Sequence, residues 1–328
     1  MRTLVVDVAA DSGGALIILK QYYEEFLKDQ ENEYIFVVSV VDLEPKENIQ
    51  IEKLPWVKKS WLHRLWFDNV YGKKLVKKHK VDKIFSLQNT LLNGVNLPQE
   101  LYLHQPLPYS VYRFSLSENK KLWVYQNIIS RKISKSVKRA QKVIIQTKWM
   151  KDSVIKKDKV EESKIEIIAP KYLIKIKNKF SESNFNNLFF YPADDYIYKN
   201  HKVILEAIKL LKNEGITNFK VVLTLSEDNL PRNCKELYSE VRDQIILLGK
   251  ITHEQVMDYY SKSVLIFPSY IETFGLPLLE AKTTESPIIA SDTLFSHEIL
   301  DGYEKAVFID PFDSIKLKEN IKSYFKLK

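Results

Sequence analysis

Short apolar runs alternate with amphipathic stretches along the chain, and this alternation limits the fold more than any other feature. In a first series, β-branched runs predict strands at residues 3–8, 34–40, 83–86, 101–104, 142–146 and 165–168. Helical spacing predicts helices from the turn at 11–14 to about residue 28, and near 61–78, 119–139 and 148–157. Strands that alternate with helices predict a parallel sheet with right-handed crossovers.

A second series of the same kind begins at residue 188. It predicts strands at 188–191, 219–225, 245–248, 264–267 and 287–290, and helices near 199–213, 232–240, 253–261, 277–284 and 313–326. Residues 171–187 lose the periodicity and are rich in Lys, Ser and Asn, which predicts a linker. We therefore expect an α/β protein with two Rossmann-like domains, 1–170 and 188–328, whose parallel sheets face a central cleft.

The net charge of +8 over 328 residues is concentrated in two segments of the first half. Residues 56–80 hold eight Lys or Arg and one acid, and residues 131–151 hold eight and no acid, whereas residues 188–328 hold 17 basic and 21 acidic residues. Such clusters indicate an anionic partner, either nucleic acid or an acidic membrane leaflet. No nucleic-acid-binding module occurs in the sequence, so we expect no nucleic acid. The lone Cys234 excludes an internal disulfide and fits a reducing cytosol.

The first basic segment interleaves tryptophans with lysines, as in helices that lie on an anionic bilayer. The alternative is a helix whose aromatic side chains pack inward while its lysines are solvated. The residues predicted to form this membrane or acceptor surface are Lys58, Lys59, Trp61, Arg64, Trp66, Lys73, Lys74, Lys77 and Lys78.

The densest motif lies at residues 267–281, FPSYIETFGLPLLEA. A predicted strand ends at Phe267, a polar loop follows, and Pro277 suits the first turn of a helix. The loop amides and the helix dipole favour an anion there. Taken alone, Glu280 also fits an ordinary helix N-terminus and Phe274 an ordinary core position.

This stretch resembles the Glu-x7-Glu signature of retaining glycosyltransferases of family 4 (group 1), which have the GT-B fold, in their bacterial surface-polysaccharide type. Weaker features of that family follow in order at residues 12–14, 103–108, 145–150, 191–193, 198–201, 204–207 and 248–251. The resemblance therefore covers most of the chain.

The resemblance implies three catalytic residues: Lys199 on the donor diphosphate, Glu272 on the sugar hydroxyls, and His104 approaching the sugar from the other domain. It also implies that Glu280 binds the ribose and that main-chain amides hold the distal phosphate. The donor-binding residues that it implies are Gly13, Gly14, Gly249, Lys250, Thr273, Phe274, Gly275, Leu276 and Glu280.

The expected activity is metal-independent, retaining transfer of a sugar from a nucleotide-diphosphate donor, a UDP- or GDP-sugar, to a hydroxyl of a lipid-linked oligosaccharide. We expect no metal or cofactor, and a cytoplasmic protein that is peripheral on the inner membrane face in surface-polysaccharide or capsule synthesis. Ala193 stands where many relatives have an arginine. A catalytically silent membrane-associated partner of a glycosyltransferase therefore stays open, as does a nucleotide-sugar epimerase.

Overall fold

The computed structural model describes residues 1–11, 13–171, 174 and 176–327, without the side chains of residues 326 and 327. The predicted glycine loop includes Ser12, and the predicted linker includes Tyr172, Leu173 and Lys175; these four lie outside the described residues. The chain divides into two compact units, unit 1 (Met1–Tyr172) and unit 2 (Leu173–Lys328).

Unit 1 is built on a sheet of seven parallel strands in the order β3-β2-β1-β4-β5-β6-β7. The strands are β1 Arg2–Asp7, β2 Glu33–Val38, β3 Ile49–Lys53, β4 Lys83–Ser86, β5 Gln99–Tyr102, β6 Lys142–Ile145 and β7 Ile165–Ile167. The helices are α1 Gly13–Leu27, α2 Trp61–Trp66, α3 Gly72–His79, α4 Lys120–Val124, α5 Ser130–Arg139 and α6 Lys148–Asp158.

Unit 2 is built on six parallel strands in the order β10-β9-β8-β11-β12-β13. The strands are β8 Leu188–Tyr191, β9 Lys220–Leu223, β10 Ile245–Leu247, β11 Val264–Phe267, β12 Ile288–Ser291 and β13 Ala306–Ile309. The helices are α7 His201–Asn213, α8 Lys235–Val241, α9 His253–Tyr260, α10 Leu276–Thr283, α11 Leu294–Ile299 and α12 Ser314–Ser323. Two parallel-sheet α/β units confirm the predicted fold class.

Each sheet reverses its strand order once, and the carboxyl ends of the strands on either side form the crevice where such folds bind ligands. In unit 1 the reversal lies between β1 and β4, and in unit 2 between β8 and β11. These strands are central and fully buried, because their β-branched and aromatic side chains face the helices that cover both sides of the sheet.

Three elements were not predicted. The strands β3 and β13 are edge strands of the two sheets and are partly exposed. The sequence of β3, IQIEK, mixes apolar with polar and charged residues, whereas β13, AVFI, is apolar throughout. Helix α11 has only six residues and starts after the Thr293 hydroxyl, which accepts a bond from the Ser296 amide.

Two predicted helices are interrupted by π-helical turns. The predicted helix at 61–78 consists of α2, a first π turn (Phe67–Tyr71) and α3. The predicted helix at 119–139 consists of α4, a second π turn (Tyr125–Ile129) and α5. Such turns occur often at functional sites.

The segment just before β8 packs on unit 2. The Phe180 amide donates to the Thr284 carbonyl at 2.8 Å, the Ser181 amide donates to the Ser261 carbonyl at 3.2 Å, and Phe185 is buried. The boundary between the units lies within the predicted 171–187 linker, and these later residues are held by unit 2.

Candidate functional site

The loop after β11 turns into α10 through a glycine in a left-handed conformation. Gly275 has φ +84 and precedes Leu276 and Pro277, the first two residues of the helix. A Cβ at Gly275 would lie 3.2 Å from Leu278 Cδ1. No side chain caps the start of α10, so its first amides and the helix dipole favour an anion at this end.

The first motif glutamate forms an ion pair with the predicted diphosphate lysine. Glu272 Oε1 lies 2.6 Å from Lys199 Nζ and accepts a hydrogen bond of 2.8 Å from the Ser269 hydroxyl. The two charged side chains are only 16% and 17% exposed. The carboxyl ends of β8 and β11 therefore bring together Lys199 and Glu272, which are 73 residues apart in the sequence.

Local main-chain geometry places Lys199 beside the loop. Lys199 ends a short 3-10 turn, and its carbonyl accepts a bond of 2.8 Å from the buried Tyr191 hydroxyl. Asn200 follows with φ +59, and its side-chain amide donates to the Pro268 carbonyl at 3.3 Å. The two loops at the reversal point are therefore joined by direct hydrogen bonds.

The second motif glutamate has other partners. Glu280 is buried, with Oε1 at 2.9 Å from His253 Nε2, while Oε2 accepts a bond of 3.1 Å from the Tyr260 hydroxyl. The hydrogen bond with Glu280 raises the pKa of His253, and burial opposes this. His253 and Tyr260 thus fix the orientation of the carboxylate that the resemblance assigns to the ribose.

The remaining donor-binding residues that were predicted in unit 2 lie in its loops. Gly249 follows β10 with φ +66 and donates from its amide to the Leu225 carbonyl, and the next residue, Lys250, is exposed. Thr273 is partly exposed and Phe274 is buried.

The predicted residues of unit 1 lie at the carboxyl ends of its own strands. Gly13, with φ +58, and Gly14 begin α1, and a Cβ on either would meet no atom within 4 Å. His104 follows β5, and its amide donates to Asn89 Oδ1 at 2.8 Å. Burial lowers the pKa of His104 to about 4, although a hydrogen bond with the Leu87 main chain raises it, so the imidazole is neutral at pH 7.

The predicted surface of unit 1 exposes part of its apolar side chains. Trp61 is 62% and Leu62 76% exposed, and Leu65, Trp66 and Val70 are also exposed. Phe67 is buried, and Trp56 packs edge-on against the Trp66 and Tyr71 rings. The aromatic side chains therefore divide between the core and the surface.

The predicted basic residues also divide into two groups. Lys58, Arg64 and Lys78 form ion pairs with Asp11, Asp68 and Glu52. Lys73 is partly buried against Gly94, whereas Lys59, Lys74 and Lys77 are exposed. Among the described residues, no helix is both long and apolar enough to cross a bilayer.

Sequence reasoning missed Ser269, His253 and Tyr260, which contact the two motif glutamates. Ser269 lies inside the quoted motif, three residues before Glu272, where the turn of the loop brings it back. His253 and Tyr260 are 27 and 20 residues from Glu280, and only the packing of α9 against α10 joins them. No spacing signal identifies them.

Known proteins resemble this chain in sequence and in fold. Residues 174–328 match the family described as Glycosyl transferases group 1. Over 201 residues the chain is 27% identical to the O-antigen chain mannosyltransferase RfbU of Salmonella typhimurium, an alignment that covers 58% of this chain and 53% of RfbU. The chain thus spans about half the length of that relative.

Solved structures agree over nearly the whole chain. Sucrose-phosphate synthase from Thermosynechococcus elongatus superposes with a TM-score of 0.75 at 17% identity, covering 99% of this chain and 90% of that one. HepE of Anabaena, in complex with UDP-glucose, superposes with a TM-score of 0.69 at 15% identity and the same coverage. The fold is GT-B, and the match to the group 1 family lies in unit 2.

Proposed function

We propose that the chain is a glycosyltransferase that moves a sugar, with retention and without a metal, from a nucleotide-diphosphate donor to a hydroxyl of a surface glycan. The Lys199–Glu272 pair is the observation that carries this proposal, because it places a cation and a carboxylate at the reversal point of the domain that matches the family. The mannosyltransferase RfbU and the UDP-glucose complex of HepE support a sugar donor of this kind, which we propose to be a GDP- or UDP-sugar.

The ion pair suits an exchange of partners when the donor binds. A partly buried pair contributes little net stability, because desolvation offsets the attraction between its charges. A diphosphate that takes over the Lys199 ammonium releases the Glu272 carboxylate, which then accepts bonds from sugar hydroxyls. As the glycosidic bond breaks, Lys199 stabilises the charge that develops on the leaving diphosphate.

The start of α10 supplies the second contact with the donor. Its first amides have no side-chain cap and belong to a helix of eight residues, so they complement the distal phosphate. Glu280, held by His253 and Tyr260, accepts bonds from the ribose hydroxyls. Unit 2 thus provides contacts for the diphosphate, the sugar and the ribose of the donor.

We propose a lipid-linked glycan as the acceptor, on the inner face of the cell membrane. The exposed Trp61, Leu62 and Leu65 beside the exposed Lys59 and Lys74 support peripheral association with an anionic leaflet. An acceptor at that surface would meet unit 1 first.

The test compares the Lys199–Glu272 pair with an exposed pair on the adjacent helix. Lys199→Gln and Glu272→Gln should each lower kcat for sugar transfer by about 100- to 1000-fold, the cost of removing a preorganised charged contact. Lys202→Gln and Glu206→Gln alter an exposed ion pair of α7 and should stay within about twofold of the wild type. GDP-mannose and UDP-glucose serve as donors, with lipid-linked glycan extract as acceptor. Equal rates for all four variants would reject the site.

Ala193 supports a second candidate, a catalytically silent partner of a glycosyltransferase. Its amide donates to Thr224 Oγ1 at 3.0 Å, and its side chain brings no charge to the position where relatives carry an arginine. Thermal unfolding with nucleotide sugars separates the two candidates, because a ligand at 100 times its Kd adds about 2.7 kcal/mol of stability. No shift with any nucleotide would favour the silent partner, and donor turnover without acceptor would favour an epimerase.

A further inference from the structure

Unit 1 has a pocket at its own strand reversal, separate from the residues that carry the proposed donor site. The pocket has a volume of about 340 Å³. Val8 and Ala9, which follow β1, and Gln88 and Asn89, which follow β4, line its inner wall. Ligands of doubly wound folds bind at this position.

Three cations line the pocket against one carboxylate. Lys58, Arg64 and Lys132 are 26%, 21% and 28% exposed, and the Asp68 side chain is fully buried. Asp68 Oδ2 lies 2.5 Å from Lys132 Nζ, and Arg64 Nε lies 3.3 Å from both Asp68 oxygens. Lys58 pairs at 2.6 Å with Asp11, whose side chain is 59% exposed and does not line the pocket. The lining therefore has an excess of two positive charges.

Two buried polar side chains have an atom without a hydrogen-bond partner in the described chain: Gln88, which lines the pocket, and Asp7, which precedes the lining residue Val8. Gln88 donates from Nε2 to Asp68 at 3.2 Å, but its Oε1 has no partner. Asp7, at the end of β1, accepts a bond from the Ala10 amide through Oδ1, and its Oδ2 has none. Burial raises the pKa of Asp7 to about 7, so near neutral pH this group carries only part of a negative charge.

Both π turns found in the described residues border this pocket. The first contributes Asp68, and the second contributes Tyr125 and Ile129. Interruptions of this kind re-aim side chains from a helix and are frequent at functional sites. Trp61, the first residue of α2, is 62% exposed and adds an aromatic face to the lining. Further exposed apolar residues of α2 follow it in the sequence.

We propose that this pocket binds a phosphate or diphosphate group that is attached to an apolar chain. Arg64, Lys132 and Lys58 donate charge-assisted bonds to the phosphate oxygens, and Asp68 holds two of these cations in place. Trp61 contacts the start of the chain. The identification of this ligand as the lipid-linked acceptor rests on the proposed function, whereas the phosphate chemistry rests on the pocket alone.

Calorimetric titration of the full chain with inorganic pyrophosphate and with farnesyl diphosphate tests the proposal. Lys58→Gln and Arg64→Gln should each raise the Kd of both probes at least tenfold. Lys20→Gln, which removes an exposed lysine of α1 outside the pocket, should leave the Kd of both probes within twofold. Trp61→Ser should weaken farnesyl diphosphate alone.

The variants differ in their risk to folding. Arg64→Gln removes a partner of the buried Asp68, whereas Lys58→Gln leaves both partners of Asp68 in place, so it keeps the test valid if Arg64→Gln unfolds. Binding of farnesyl diphosphate that survives both Lys58→Gln and Arg64→Gln, or that Lys20→Gln weakens equally, would contradict binding in this pocket. If both probes bind with equal affinity and Trp61→Ser has no effect, the ligand does not need an apolar chain.

Failure of the proposed function is distinguishable, because the titration needs neither donor nor turnover. Probe binding that depends on Lys58 in a protein without transferase activity would leave the pocket in place and remove the acceptor identification. Normal transferase activity with no probe binding would reject the phosphate pocket and leave the proposed function in place.

Discussion

The crevices at the two strand reversals have the same topology and different charge arrangements. In unit 2 one cation, Lys199, meets one partly exposed carboxylate, Glu272. In unit 1 a fully buried carboxylate, Asp68, is bonded by two cations and an amide, and a third cation lies in the same pocket. The charges of the unit 2 site are balanced, whereas the unit 1 site has excess positive charge.

This difference indicates two ways of preparing a phosphate site. The pair of unit 2 loses its internal partner when a ligand arrives, which suits a donor that must bind and leave in every cycle. The fixed Asp68 of unit 1 keeps its cations in position, so their remaining donors serve an anion without rearrangement. We therefore predict that Asp68 contributes more to the stability of unit 1 than Glu272 contributes to the stability of unit 2.

The largest expected effect comes from removing each carboxylate. Asp68→Ala should lower the free energy of unfolding by about 3–5 kcal/mol, because it leaves two partly buried cations without their counter-charge. Glu272→Ala should cost about 1 kcal/mol, since Lys199 can reach solvent. Urea unfolding of the full chain, followed by circular dichroism, measures both. Equal losses would remove the distinction between the two sites.

A smaller effect is expected at the start of α10. Gly275→Ala should destabilise the chain by about 1–2 kcal/mol, because alanine is strained at φ +84 and its Cβ would press on Leu278. Gly215→Ala is the control, with φ +79 and no atom within 4 Å of the added Cβ. The difference between the two losses of unfolding free energy gives the cost of the contact with Leu278. A larger loss for Gly215→Ala than for Gly275→Ala would contradict this cost.

The His253–Glu280 contact should give a weak pH dependence. The bond with Glu280 raises the pKa of His253, so its stabilisation is complete below the pKa of the unfolded chain and is lost as pH rises through the folded-state pKa. The side chain is 41% exposed, so we expect less than about 1 kcal/mol.

Melting temperatures at pH 5.5 and 8.5 measure this contribution. His253→Gln should lower the melting temperature at pH 5.5 and leave it nearly unchanged at pH 8.5. His63→Gln, an exposed histidine of α2, is the control. The same loss at both pH values would show that protonation of His253 is not involved.

The smallest effect on stability is expected at the exposed apolar surface of unit 1. Trp61→Ser should change the free energy of unfolding by less than about 0.5 kcal/mol, since the side chain is mostly in water. It should nevertheless reduce sedimentation with vesicles that contain anionic lipid. Leu294→Ser changes an equally exposed residue of unit 2 and should leave sedimentation unaltered. If both variants sediment equally, Trp61 does not belong to a membrane-binding surface.

The sequence predicts much of this fold because central strands and long helices carry strong periodicity. All eleven predicted strands and the predicted helices occur. The edge strand β3 gives a weak pattern because it mixes apolar with polar and charged residues, whereas the four apolar residues of β13 were missed. The motif at 267–281 places Glu272 correctly in a loop before α10. Contacts such as His253 with Glu280, or Asp68 with Lys132, depend on packing between distant elements, and no local pattern encodes them.

The most direct test of two separate phosphate sites is a crossed binding measurement. The dissociation constants of GDP, UDP and farnesyl diphosphate are measured by titration calorimetry for the wild type, Lys199→Gln and Lys58→Gln. We predict that Lys199→Gln weakens the preferred nucleotide at least tenfold and spares farnesyl diphosphate, and that Lys58→Gln does the reverse. If one variant weakens both ligands equally and the other weakens neither, the chain has a single phosphate site, which would contradict the proposal of two.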